Sequence, residues 1–158
     1  MTSVPPLVGE RIAPFTLSTP EGEITIPDPG GRDVLLMFFV EAGTPLCTAQ
    51  VSAIARDAEL LTEANARVVA VSTDPPDRQQ AFAETLGLRE VMLASDENGN
   101  VARRLGVYDE TTRRARRAAF VIGGDGTVKV ALPWYNPNNS EQYAALFAPF
   151  LGPEDGNG

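Results

Sequence analysis

A chain of 158 residues is long enough for one domain with a substantial core, and 43% hydrophobic against 22% charged residues is an ordinary globular balance. The formal net charge of −8 disfavours partners with phosphate backbones or anionic lipid surfaces. There is no histidine and a single cysteine, Cys47, which excludes Cys–His and Ser–His catalysis and any internal disulfide, and argues against a transition-metal site.

The segment Met1–Glu10 has no basic start, apolar stretch or small-residue cleavage site of a signal peptide. The longest apolar run, Val34–Val40, is seven residues, far short of a membrane span. A cytoplasmic protein with no membrane partner is expected. One basic cluster, Arg113-Arg114-Ala115-Arg116-Arg117, goes against the acidic trend. It reads as a solvated hairpin or loop face, with no nucleic-acid partner.

In chain order, Phe15–Leu17 and Ile24–Ile26 read as short strands around the turn Pro20-Glu21-Gly22, an N-terminal β-hairpin. Residues 27–31 form a loop dense in proline and glycine. Val34–Val40 is apolar without alternation, as in a central strand covered on both faces. A helix follows from Pro45 to about Asn65, with Thr44 suited to the N-cap and Pro45 to the first helical position. Its apolar stripe is Cys47, Val51, Ile54, Ala55, Ala58 and Leu61, which puts Cys47 in the first turn on the buried side.

Arg67–Ser72 is the next strand, and strand–helix–strand implies a parallel crossover. A second helix spans Asp77–Leu86 and closes at Gly87; a third strand covers Val91–Leu93; Asp96 caps a short helix ending at Leu105-Gly106. Ala118–Ile122 and Thr127–Leu132 pair across Gly123-Gly124-Asp125-Gly126. A last helix runs from Ser140 to Leu151, ahead of a polar tail, residues 152–158, expected to be disordered. The whole is an α/β arrangement, a central mixed β-sheet flanked by helices, in one domain over residues 1–151.

A thiol attacks as its thiolate, and a free thiol is only about 3% ionised at neutral pH. Three features can stabilise an anion at Cys47. The first-turn amides and the helix dipole favour negative charge; the Thr44 hydroxyl sits one turn before it; and a distant arginine can supply fixed positive charge.

The segment Val40-Glu41-Ala42-Gly43-Thr44-Pro45-Leu46-Cys47 resembles the peroxiredoxin motif Pro-x-x-x-Thr-x-x-Cys. Other pieces resemble the family in order: Gly9 to Leu17 its opening Gly-x-x-Ala-Pro-x-Phe-x-Leu, Val71-Ser72-Thr73-Asp74 its Val-Ser-x-Asp strand end, Ser95-Asp96 through Gly106-Val107, and Arg117 to Ile122 with Asp125-Gly126. The resemblance covers about residues 8–134 and implies a thioredoxin-like fold. It also implies a thiol peroxidase with Cys47 as the peroxidatic cysteine, Thr44 contacting the substrate oxygen and Arg117 holding thiolate and peroxide. Val40, Leu46 and Gln50 would support them.

Lacking a second cysteine, such an enzyme needs an external thiol reductant: a small thiol, glutaredoxin or a thioredoxin-like protein. No cofactor is implied. The chain ends soon after the core, which looks closer to the bacterioferritin-comigratory group, monomeric or weakly dimeric, than to larger one-cysteine peroxiredoxins. Trp134-Tyr135 reads as packing, with an interface as the other possibility.

Two positions depart from the pattern. Val40 stands where the motif has proline, so an apolar wall remains but the backbone is not locked. Gln50 stands where a glutamate is usual; its amide can accept from Arg117 but brings no charge. Glu41 adds a negative charge near the thiol. These departures motivate one alternative, a catalytically weak or inactive thioredoxin-fold binding or redox-sensor protein. A thiol–disulfide oxidoreductase is the other, disfavoured because the Cys-x-x-Cys spacing reads Thr44-x-x-Cys47.

Overall fold

The computed structural model describes residues 4–150; the expected tail at 152–158 and the last residue of the expected C-terminal helix, Leu151, lie outside them. Nine strands and four α-helices are ordered as β1 (Phe15–Thr19), β2 (Gly22–Ile26), β3 (Asp33–Phe38), α1 (Pro45–Glu63), β4 (Ala66–Ser72), α2 (Pro76–Leu86), β5 (Val91–Ser95), α3 (Asn100–Arg104), β6 (Tyr108–Asp109), β7 (Arg114–Ala115), β8 (Ala118–Ile122), β9 (Val128–Leu132) and α4 (Ser140–Phe147) among the described residues. Seven strands form one mixed sheet in the order β2-β1-β5-β4-β3-β8-β9. β3, β4 and β5 are parallel neighbours, while β8 runs antiparallel to β3 with Leu36 opposite Phe120. The expected α/β fold, mixed sheet and N-terminal hairpin are all present.

β3 lies inside the sheet, between β4 and β8, because its side chains have nowhere polar to go. Val34, Leu35, Leu36 and Phe38 are wholly buried, and alternate residues feed different cores, as the two-residue period of a strand requires. Leu35 and Met37 join α1, α2 and α4 residues around Ile54, Phe82 and Leu146. Val34, Leu36 and Phe38 join Phe15, Val101 and Phe120. α1 buries Cys47, Val51, Ile54, Ala58 and Leu61 as its stripe predicts; Gln50 joins them, while Ala55 is half-buried. α2 ends at Gly87, whose φ of 64° is the left-handed cap that a side chain would strain.

Several details differ from expectation. β3 stops at Phe38, so Val40 lies in the loop to α1 rather than in the strand. α3 begins at Asn100, and Asp96 caps it from outside by accepting from the amides of Val101 (3.1 Å) and Ala102 (2.8 Å). The last helix is regular only to Phe147 and tightens to a 3-10 turn over Ala148–Phe150. The two-residue ladder β6–β7 was not expected; strands that short carry no readable period.

Asp28, 4% exposed, ties the proline-glycine loop to β4. Its carboxylate accepts from the amides of Gly30 and Arg32 and from the guanidinium groups of Arg32 and Arg67, the last at 3.0 Å. Burial pushes its pKa up, but the bonds from Arg32 and Arg67 outweigh burial and bring it down to about 2, from 3.8. A lowered folded-state value adds stability above the unfolded pKa and loses it as pH falls through the folded one, here between roughly pH 4 and pH 2. Asp28→Asn is expected to cost about 2–3 kcal/mol at pH 7. Urea denaturation at pH 7 and near pH 2 checks it: the gap between wild type and variant should close at the lower pH.

Candidate active site

The site is assembled at the C-terminal end of β3. The chain leaves the sheet after Phe38, turns through residues 39–44 and enters α1 at Pro45. Gly43, at φ 89°, makes the turn that points the chain into the helix, a conformation where a side chain would be strained. Cys47 is therefore in the first turn, and that turn contains no acidic residue to oppose negative charge.

Arg117, just before β8, reaches back across the sheet. Its Nη2 donates to Cys47 Sγ at 3.4 Å. Among the described residues no carboxylate lies within salt-bridge distance of the Arg117 guanidinium, and its Nε is buried without a partner. The positive charge thus faces the sulfur unneutralised. The sulfur itself is wholly buried, in the apolar cluster that includes Met37, Phe39, Val51, Ala119 and Tyr135, with Val40 packed against it. Burial pushes the Tyr135 hydroxyl up to about 12, so that phenol stays protonated and supplies no base.

The other expected site residues are placed less simply. Thr44 occupies the N-cap position, but its hydroxyl caps nothing: it donates to the Glu41 carbonyl at 3.0 Å. The hydroxyl closes the four-residue turn Glu41–Thr44 and accepts from no first-turn amide. Gln50 is 2% exposed, and its Nε2 donates to the Phe38 carbonyl at 3.1 Å. Its Oε1 has no partner, so the expected acceptance from Arg117 is not made; the carbonyl left over at the end of β3 takes the amide instead. Leu46 is 46% exposed and points away from the core that holds its neighbour.

The reading of the other cluster arginines as solvated surface is corrected. Arg113 is exposed, but Arg114 donates to the Val40 carbonyl at 3.5 Å and pairs with Glu41 and Asp74, each at 3.6 Å. Arg116 donates to the Gly106 and Pro133 carbonyls and stacks 3.8 Å over the exposed Trp134 ring. Glu41 is likewise no free charge beside the thiol, since Arg78 and Arg114 both face it. Of the aromatic pair, Tyr135 is packed and Trp134 is 70% exposed.

A cavity of about 580 Å³ lies elsewhere, lined by Arg67, Leu88, Glu90 and Met92 among others. It opens by the starts of β4 and β5, whereas Cys47 follows the end of their parallel neighbour β3, so the two lie toward opposite ends of the parallel strands. Among the described residues no helix is long and apolar enough to cross a membrane.

Comparison with known proteins identifies the family and the fold. A profile of the AhpC/TSA family matches residues 8–131. Peroxiredoxin Bcp of Escherichia coli is 32% identical over 142 residues, covering 85% of this chain and 90% of that protein. A putative peroxiredoxin of Mycobacterium tuberculosis is 32% identical over 130 residues, 78% of this chain and 82% of the relative. Among solved structures, peroxidoxin BcpB from Mycobacterium tuberculosis superposes with a TM-score of 0.76 at 28% identity, over 89% of this chain and 96% of the other. AhpC from Enterococcus faecalis, at 24% identity and a TM-score of 0.77 over 96% and 97%, shares the fold. The chain belongs to the AhpC/TSA family of peroxiredoxins.

Proposed function

We propose that this peroxiredoxin is a thiol-dependent peroxidase that reduces hydrogen peroxide or small organic hydroperoxides through Cys47 alone. The observation that carries the reading is the Arg117 guanidinium donating to Cys47 Sγ at 3.4 Å, in a helical first turn free of carboxylates. A guanidinium with no carboxylate partner favours the thiolate over the thiol. It also stands where charge develops on the leaving oxygen.

In the reaction, the thiolate attacks one peroxide oxygen, the O–O bond breaks, and the sulfur is oxidised to a sulfenic acid. The other oxygen leaves as hydroxide or alkoxide and takes a proton to give water or alcohol. An external thiol then condenses with the sulfenic acid, releasing water and forming a mixed disulfide. A second thiol reduces that disulfide and restores Cys47. Thr44 lies one turn before the sulfur and would meet the substrate oxygen once its hydroxyl leaves the Glu41 carbonyl. Since the sulfur is wholly buried, substrate reaches it through a local opening of the side chains around it.

The reductant is a small thiol, glutaredoxin or a thioredoxin-like protein. The acting unit is residues 1–151, as a cytoplasmic monomer or weak homodimer. Mass spectrometry after one equivalent of hydrogen peroxide tests the one-cysteine route. A sulfenic acid on Cys47, trapped by dimedone in one sample and converted by added glutathione to a mixed disulfide in another, is expected; an unmodified Cys47 in both refutes it.

A further inference from the structure

The loop that delivers Cys47 to Arg117 lacks the motif proline, yet Val40, Glu41 and Ala42 are each held by a side chain from elsewhere. Arg114 Nη1 donates to the Val40 carbonyl at 3.5 Å. The Glu41 carboxylate faces Arg114 at 3.6 Å and Arg78 at 3.9 Å. The Ala42 amide donates to Asp74 Oδ2 at 2.8 Å, and Arg78 donates to the Ala42 carbonyl at 3.3 Å. Asp74 is 3% exposed; its Oδ2 also accepts from Ser72 Oγ at 2.6 Å, and its Oδ1 faces Arg114 at 3.6 Å. Arg114 is therefore the one side chain among the described residues that touches the loop backbone, the loop's own carboxylate and the buried Asp74 together.

We propose that Arg114, anchored by Asp74, is a positioning residue that clamps the Val40–Ala42 backbone and so replaces the conformational lock of the absent proline. Proline would fix φ at that point through its ring. A forked guanidinium fixes the same segment from outside, by holding a carbonyl and a carboxylate at once. The unexpected β6–β7 ladder has a role in this: it presents Arg114 to a loop 74 positions earlier in the chain. None of these groups touches the sulfur. They act through the start of α1, whose placement sets the contact between Cys47 and Arg117.

The inference rests on the proposed reaction at Cys47, and one set of rates separates the two. Stopped-flow oxidation by hydrogen peroxide is measured on wild type, Arg114→Ala, Asp74→Asn, Val40→Pro/Arg114→Ala and Asp74→Asn/Arg114→Ala, with far-UV circular dichroism as the check of fold. Arg114→Ala is expected to slow Cys47 oxidation roughly ten- to a hundredfold, the scale of a small misplacement of reacting groups. Adding Val40→Pro should recover most of that loss, which a merely structural arginine would not permit.

Asp74→Asn keeps an acceptor for the Ala42 amide but loses the charge facing Arg114. Its loss should be non-additive with Arg114→Ala, a readout that stands even where the proline variant does not fold. A fast wild type with Arg114→Ala unchanged, or with the Asp74 and Arg114 effects simply multiplying, overturns the clamp alone. A wild type no faster than free cysteine overturns the peroxidase reading and the clamp with it.

Discussion

Cys47→Ser is expected to reduce peroxide consumption in the presence of an external thiol to the reagent background. No other residue can take its place: the chain has no second cysteine and no histidine. A serine hydroxyl beside Arg117 stays protonated at neutral pH, and its oxygen does not accept an oxygen atom from peroxide as sulfur does. The substitution puts a hydroxyl into a wholly buried apolar site, at a cost of about 1–3 kcal/mol, so the fold should persist. Circular dichroism establishes that the loss is chemical. Coupled thiol-oxidation assays on wild type and variant give the comparison, and a variant that still turns over would move the chemistry away from Cys47.

Arg117→Met should lower the rate of Cys47 oxidation by roughly 10²–10³-fold, the range seen when one preorganised donor to a developing charge is removed. Methionine keeps the unbranched stem of the side chain and removes the guanidinium with its charge and donors, leaving the buried sulfur without a charged neighbour. The thiolate then loses the donor at 3.4 Å, and the leaving oxygen loses a positive partner. Arg117→Lys should fall between, since a point charge replaces a fork. A variant with wild-type rate would show that the guanidinium only fills space.

The fold was legible because its long elements announce themselves by periodicity. The seven apolar residues Val34–Val40 and the stripe from Cys47 to Leu61 identify a β–α–β unit, and the structure delivers it with β3 and β4 in parallel register. The helix start was legible too, since Thr44-Pro45 is a strong initiation signal. What the threonine hydroxyl would do was not. The same residue can cap a helix or close a local turn, and here the Glu41 carbonyl prevails.

Gln50 shows a similar limit. Its position on the Cys47 face follows from helical spacing, but its partner depends on β3 ending two residues early and leaving the Phe38 carbonyl to be satisfied. Arg114 was hidden for another reason. Inside a run of four arginines its side chain is distinguished only by a two-residue ladder and by a turn at Arg113, where φ is 60° with no glycine to signal it. The Val-Ser-x-Asp motif did point to Asp74, and Asp74 is where the buried end of that network lies.

The departures at Val40 and Gln50 gave the reading of a catalytically weak protein its force, and the geometry answers part of it. Val40 remains packed on the sulfur's cluster with its carbonyl held, and the charge of Glu41 is faced by two guanidinium groups. Thiol–disulfide exchange of the Cys-x-x-Cys kind has no second sulfur to use.

The proposed peroxide chemistry depends on the buried sulfur facing one guanidinium at 3.4 Å, and the bimolecular rate at which hydrogen peroxide oxidises the wild-type protein at pH 7 reports on that directly. A rate at least roughly a hundredfold above that of free cysteine is predicted, the acceleration one charged donor can supply. A rate equal to that of free cysteine would contradict the account.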